Sequence, residues 1–175
     1  MTDPGDRAAD EEALRALSTG YARAADARDG RGMAGQFTDD GELVVAAAPD
    51  GSRPAAVHRG TERLARVPGL LGRYEWTLHR VVDHRFAFGP PEDGRPATAG
   101  GLVRCIAHHV ARGDGADGTV GTDTVWYLHY LDEYRREAVG WRIARRTLEV
   151  EWVEERPVAL VAQRGGTGWG GGGPT

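Results

Sequence analysis

Apolar residues recur every three or four positions near the start of the chain, at Leu14, Leu17, Tyr21, Ala24 and Ala25. That spacing predicts an amphipathic helix. Asp10 stands where an N-cap would, with Glu11 and Glu12 in the first turn to complement the helix dipole. The polar residues 1–9 are expected to be flexible. "DGRG" at 29–32 interrupts the stripe, and "MAGQF" reads as a short second helix or turn ending near Phe37. "TDDG" at 38–41 predicts a turn, and "ELVVAAA" after it a strand. "PDGSRP" at 49–54 reads as a loop, after which Thr61 is placed to cap a third helix running through Leu71.

From Tyr74 onward the pattern alternates. It predicts strands over 74–89, 97–112, 119–137 and 140–155, separated by "GPPEDGRP", "RGDGADG" and "REAVG". Long strands with short turns make an antiparallel meander, and the three helices before it must cover one of its faces. The predicted fold class is α+β: a cone-shaped, curved antiparallel sheet closed by three N-terminal helices around one pocket for a small, largely apolar ligand. The expected organisation is a flexible segment 1–9, one domain over 10–158 and a disordered glycine-rich tail over 159–175.

Composition removes several functions. A chain of 175 residues suits one domain, which buries roughly 70% of its unfolded surface. A net charge of −4 gives no electrostatic footprint for nucleic acid or an anionic membrane. No apolar run is long enough to span a bilayer, and "MTDPGDRAADEE" lacks the basic and apolar parts of a leader, so a cytoplasmic location is expected. Cys105 is the only cysteine, which excludes intrachain disulfides and cysteine-cluster metal sites. All 22 basic residues are arginine. A P-loop lysine, a pyridoxal-phosphate Schiff base and a lysine aldolase are therefore excluded, since each needs that amine. Asparagine is absent as well, so a biased composition explains the missing lysines.

Nucleophilic hydrolysis has little to work with. Neither Ser18 nor Ser52 lies in a G-x-S-x-G elbow, and Cys105 sits mid-strand without a helix terminus to activate it. His79, Asp83 and His84 superficially suggest metal ligands, but His79 and Asp83 stand about 13 Å apart along an extended strand. Neither a metal nor a cofactor is expected.

The succession "ALRALSTGYARAADARD", "FTDDGELV", "HRGTERL", "TLHRVVDHRF", "AHHV", "YLDEYRRE" and "GWRIARRTLEVEW" resembles the SnoaL-like branch of the nuclear-transport-factor-like superfamily over residues 10 to 155. The resemblance implies a cone-shaped α+β barrel, a homodimer or homotrimer, and a small-molecule substrate. Relatives include scytalone dehydratase, bile-acid dehydratase, limonene epoxide hydrolase, ketosteroid isomerase and polyketide cyclases, which share a pocket rather than a reaction. Tyr21, Asp26 and His79 match the dehydratase subgroup, and a second strand histidine, His108 or His109, completes the scytalone-type arrangement. Asp83 stands where relatives often carry asparagine, and the epoxide-hydrolase pattern of paired aspartates around an arginine is not evident.

The residues alone argue partly against this site. At about 100° per residue Asp26 lies roughly 140° from Tyr21 and nearly opposite Leu17, which favours solvent; the resemblance points it into the pocket. In "WTLHRVVDHRF" alternation groups Thr77, His79, Val81 and Asp83 on one face. The opposite face, with Trp76, Leu78, Val82 and Phe86, is the more apolar, which places His79 outside unless a bulge intervenes. His109 shares its face with the small residues Val103, Cys105 and Ala107, and His108 takes the other. Trp126, Leu128, Tyr130, Asp132 and Tyr134 line up on the next strand. The candidate catalytic set is Asp26, His79, Tyr21 and His109. The candidate substrate contacts are Tyr130, Trp126, Asp132 and Phe37.

If the catalytic set converges, a carboxylate beside an imidazole fixes its tautomer and raises its basicity for removing a proton alpha to a carbonyl. The tyrosine hydroxyl would stabilise the enolate. The leading expectation is a cofactor-independent lyase or isomerase acting on a small cyclic or polyketide-like metabolite, with dehydration first and cyclisation second. The alternative is a non-catalytic small-molecule-binding or assembly module. An aspartate within hydrogen-bond reach of a pocket histidine discriminates the two.

Overall fold

The computed structural model describes residues 4–46, 55–90, 98–113 and 119–161. The greater part of the three loops "PDGSRP", "GPPEDGRP" and "RGDGADG", and the glycine-rich tail from residue 162, lie outside them.

Helix α1 spans Pro4–Asp26 and buries the whole predicted stripe, Leu14, Leu17, Tyr21, Ala24 and Ala25. It begins at Pro4, so Asp10 lies inside the helix and is not its N-cap. Its carboxylate is used elsewhere: Trp141 Nε1 donates to it at 3.0 Å and Arg136 also donates to it, tying α1 to the sheet. Two residues beyond helix α1 stands a left-handed residue, Arg28 (φ 58°), whose guanidinium donates back to the carbonyls of Ala25 and Asp26. Helix α2, Gly30–Ala34, is capped by the Asp29 side chain, which accepts from the Gly32 N–H at 2.8 Å.

Strand β1 runs over Phe37–Val45, so "TDDG" is extended and not a turn. A register irregularity between Phe37 and Glu42 accommodates it against its neighbour. A short strand β2, Ala56–Arg59, pairs antiparallel with β1. Helix α3 covers only Thr61–Arg66 and passes into a 3-10 helix, Val67–Arg73, with Pro68 near its start. Proline lacks the N–H an α-helix would need there. Gly60 (φ 78°) occupies the N-cap position of α3, so Thr61 is its first helical residue and makes no side-chain cap. Among the described residues only α1 and α2 precede the sheet, and only α1 is long, which corrects the expectation of three N-terminal helices.

The long strands β3 (Trp76–Phe88), β4 (Thr98–Arg112), β5 (Val120–Glu137) and β6 (Gly140–Ala159) form the predicted meander. The six-stranded order is β2-β1-β6-β5-β4-β3, antiparallel throughout except where β1 joins β6 in parallel. The core fills the concavity between the inner sheet face and the helices, with Leu14, Met33 and Leu64 packed against Val103, Leu128 and Ile143.

A bulge between Val81 and Asp83 decides the sides of β3. Before it, Thr77, His79 and Val81 face inward; after it, His84, Phe86 and Phe88 do. Trp76, Leu78 and Val82 are therefore exposed on the outer face at 49%, 52% and 61%, opposite to what alternation predicts. Counting apolar positions across the bulge merges two half-strands whose inward parity differs.

Candidate active site

A cavity of about 300 Å3 opens between α1, the 3-10 helix and the inner sheet face. Most of its wall is apolar: Ala25, Met33, Leu43, Val45, Leu128, Leu148 and, from the 3-10 helix, Val67, Leu70 and Leu71. Six further side chains bring polar atoms: Tyr21, His58, Arg73, His79, His109 and Trp126.

Asp26 ends α1 immediately behind His79. One carboxylate oxygen meets His79 Nδ1 at 2.7 Å and accepts from Thr77 Oγ1 at 2.9 Å; the other accepts from the His79 backbone N–H at 2.9 Å. Arg28 donates to Thr77 Oγ1 at 2.6 Å, so the hydroxyl proton is directed at Asp26. Helical phase had turned Asp26 toward solvent. The last turn of α1 abuts β3, and that contact absorbs the carboxylate whatever its phase. Burial pushes the Asp26 carboxyl up, but the hydrogen bonds from His79 and Thr77 prevail and hold it below the ordinary carboxylate range. An ionised Asp26 accepts a hydrogen bond from Nδ1–H, and in that tautomer Nε2 carries the lone pair.

His109 is 2% exposed and sits on the inner face with Val103, Cys105 and Ala107. Its ring packs between Tyr74 (4.9 Å) and Trp126 (4.8 Å) and meets His79 edge-on at 5.7 Å between centroids. Nδ1 lies 3.2 Å from the Thr124 carbonyl, which only accepts, so this nitrogen carries the proton of the neutral ring. Burial, then the neighbouring His79, pushes the His109 pKa down to about 4. His108 points to the outer face and pairs with Asp123 at 2.8 Å. The depressed His109 gives a stability prediction. The unfolded chain takes up this proton near pH 6.5 and the folded chain only near 4, so acidification across that window favours unfolding. The term is about 3 kcal/mol at its full extent. A His109→Gln variant is expected to show a flatter dependence of denaturant midpoint on pH between 6.5 and 4 than the parent; parallel curves would refute it.

Tyr21 lines the cavity from α1, in edge contact with Tyr130 (5.5 Å) and Phe37 (6.1 Å). Burial raises its pKa to about 12, against the opposing charge of Arg146, so the hydroxyl stays a donor at neutral pH. Trp126 also lines the cavity. Three expected substrate contacts do not. Phe37 faces a separate, more open groove of about 500 Å3 with Arg31 and Arg142. Tyr130 is 1% exposed and lies beneath the cavity floor, and Asp132 is buried with it. Asp132 is committed to Arg146, which donates to it through Nε at 2.8 Å and Nη2 at 2.6 Å, and to the Tyr134 hydroxyl.

Arg146 was missed by sequence reasoning. Its side chain is fully buried, with the guanidinium carbon over the rings of Tyr21 (4.4 Å) and Tyr130 (4.2 Å). One signal pointed to it: Asp132 shares a strand face with Trp126, Leu128 and Tyr130, and an aspartate in that position requires a buried cation. Arg28, Thr77, His58 and Arg73 were also missed. Among the described residues no group of three His, Cys, Asp or Glu side chains converges as a metal set, and no helix is long and apolar enough to cross a membrane.

A family model described as the SnoaL-like domain matches residues 6–147. No curated protein matches the chain. A crystal structure of hexachlorocyclohexane dehydrochlorinase (LinA) type 2 superposes with a TM-score of 0.72 at 18% identity, covering 93% of this chain and 99% of that one. A scytalone dehydratase-like protein from Novosphingobium aromaticivorans gives a TM-score of 0.64 at 16% identity, covering 90% and 96%. An NTF2-like protein with a cystatin-like fold from the same organism gives 0.56 at 20% identity, covering 86% and 92%. At these identities the likeness is one of fold.

Proposed function

The chain belongs to the SnoaL-like domain family, and from that premise we propose that it is a cofactor-independent lyase working by His79/Asp26 acid–base chemistry on a small cyclic or polyketide-like metabolite. The observation that carries the proposal is the 2.7 Å contact of Asp26 with His79 beside an apolar cavity.

The steps follow from the proton positions. Substrate sits in the cavity with a carbonyl oxygen toward the Tyr21 hydroxyl, which donates to it. His79 Nε2 takes a proton from the carbon alpha to that carbonyl, and Asp26 stabilises the imidazolium through Nδ1–H. Negative charge develops on the carbonyl oxygen, where the Tyr21 hydrogen bond strengthens within a largely apolar wall. When the C–O bond at the beta carbon breaks, His79 Nε2–H gives its proton to the departing oxygen. Water leaves, a C=C bond forms and the enzyme returns to its starting state. Neutral His109 has no proton on Nε2 to give. It accepts a hydrogen bond from a substrate hydroxyl and orients it.

A dehydrochlorinase and a scytalone dehydratase-like protein among the structural neighbours support elimination as first choice. Aldol-type cyclisation is second, because it begins with the same enolate. A non-catalytic binding module is the weaker reading, since it has no need to pair a cavity histidine with a carboxylate. Trp76, Leu78 and Val82 on the outer face support self-association into a homodimer or homotrimer.

The test is independent of the natural leaving group. In deuterated buffer the protein is expected to speed deuterium incorporation alpha to the carbonyl of 2-tetralone, a ketone small enough for the cavity, read by NMR. Exchange no faster than in buffer alone would overturn the proposal and favour the binding module.

A further inference from the structure

The charges around the cavity are one-sided. Among the described residues lining it, none is an aspartate or a glutamate, while Arg73, His58, His79 and His109 all contribute to the wall. Asp26 stands behind His79 with its oxygens already engaged.

Arg73 ends the 3-10 helix beside Leu70 and Leu71. Its guanidinium lies over the Tyr74 ring at 4.9 Å and donates to the Tyr74 hydroxyl at 2.9 Å. Tyr74 in turn packs on His109, so these contacts hold the cation at the cavity's edge. The carboxylate nearest in sequence, Glu75, is taken by Arg112 at 2.7 Å. Arg73 makes no ion pair with any described carboxylate. His58, on β2, is half-buried; burial, then the neighbouring Arg63 charge, lowers its pKa. Arg73 likewise contributes to the depression of His109. An apolar chamber whose lining offers one cation, Arg73, and no carboxylate favours one kind of guest.

We propose that the substrate carries a single carboxylate on an otherwise apolar skeleton, and that Arg73 anchors this carboxylate at the mouth of the cavity. The proposal rests on the acid–base reading only in placing the substrate in the same cavity. It makes Arg73 the specificity-determining residue, with His58 in the wall of the same cavity. Arginine suits the role because its planar fork meets a carboxylate with two parallel N–H bonds.

Binding of 2-naphthoate and of methyl 2-naphthoate to the full chain tests this by calorimetry, without turnover. The parent is expected to bind the carboxylate about tenfold more tightly than the ester, as a charge-assisted pair at a partly exposed site allows. Arg73→Gln is expected to abolish that preference while leaving ester affinity within twofold, and Arg73→Lys to retain part of it. Raising the salt from 0.1 M to 0.5 M is expected to weaken only the carboxylate. Failure of the parent to bind 2-naphthoate at millimolar concentration, or to prefer it to the ester, overturns the proposal. Equal weakening of both probes by Arg73→Gln also overturns it, by reducing Arg73 to an apolar wall. These outcomes are independent of deuterium exchange into 2-tetralone, a neutral ketone, so each reading can fail without the other.

Discussion

A His79→Ala chain is expected to lose deuterium exchange into 2-tetralone by about 10²–10⁴-fold, the usual contribution of a positioned general base. The side chain is 9% exposed and its Nδ1 is fully engaged by Asp26, which leaves Nε2 as the only basic atom of that ring available to the cavity. Neither of the other two members of the catalytic set that line the cavity replaces it. His109 is too weak a base with a pKa near 4, and the Tyr21 hydroxyl, near 12, holds its proton. Exchange rates by NMR, with ligand affinity measured alongside, separate loss of the base from loss of the pocket. A decrease below tenfold with affinity intact would remove His79 from the chemistry.

Asp132→Asn is expected to be the most damaging single change to stability. Arg146 and Asp132 both have side chains with no solvent exposure, and the pair is bidentate. The neighbouring Ser18 hydroxyl, 3.3 Å from Arg146 Nη2, does not carry a countercharge. Removing the carboxylate's charge leaves a buried guanidinium without compensation, at a cost of about 3–5 kcal/mol. For a domain of this size that lowers Tm by roughly 10 °C. The double variant Asp132→Leu with Arg146→Met is expected to be more stable than Asp132→Asn, because a well-packed apolar pair of similar volume avoids both desolvation penalties. Thermal melts of the three chains decide the matter; a loss under 1 kcal/mol in Asp132→Asn would mean that water reaches Arg146.

The same pair shows where pattern reading of the site stops. Asp132 in phase with Trp126, Leu128 and Tyr130 looks like a substrate contact, because alternation reports only which face a side chain takes. Depth along that face is set by what packs over it, here α1 with Ser18 and Tyr21. Tyr130 and Asp132 thus lie under the cavity floor while Trp126, a few residues earlier on the same strand, reaches the cavity. Phe37 fails for another reason: it packs against the Tyr21 ring and faces a separate groove instead of the cavity.

The periodicities by themselves determined the long first helix, the four-strand meander and the α+β class, because a helical stripe and period-2 alternation are local consequences of burying one side of an element. They also put His108 and His109 on opposite faces and favoured His109, which shares parity with the small residues Val103, Cys105 and Ala107; the structure decided that this face is the inner one. Tertiary structure alone decided the rest. The bulge after Val81, invisible to alternation, sets the inward parity of β3. The docking of the α1 C-terminus on that strand brings the Asp26 carboxylate to the His79 ring against its helical phase. The bulge belongs to the pairing of β3 with β4, and the docking depends on contacts between residues some fifty positions apart, such as the 2.9 Å hydrogen bond from Thr77 to Asp26. A one-dimensional pattern carries no information about such distances.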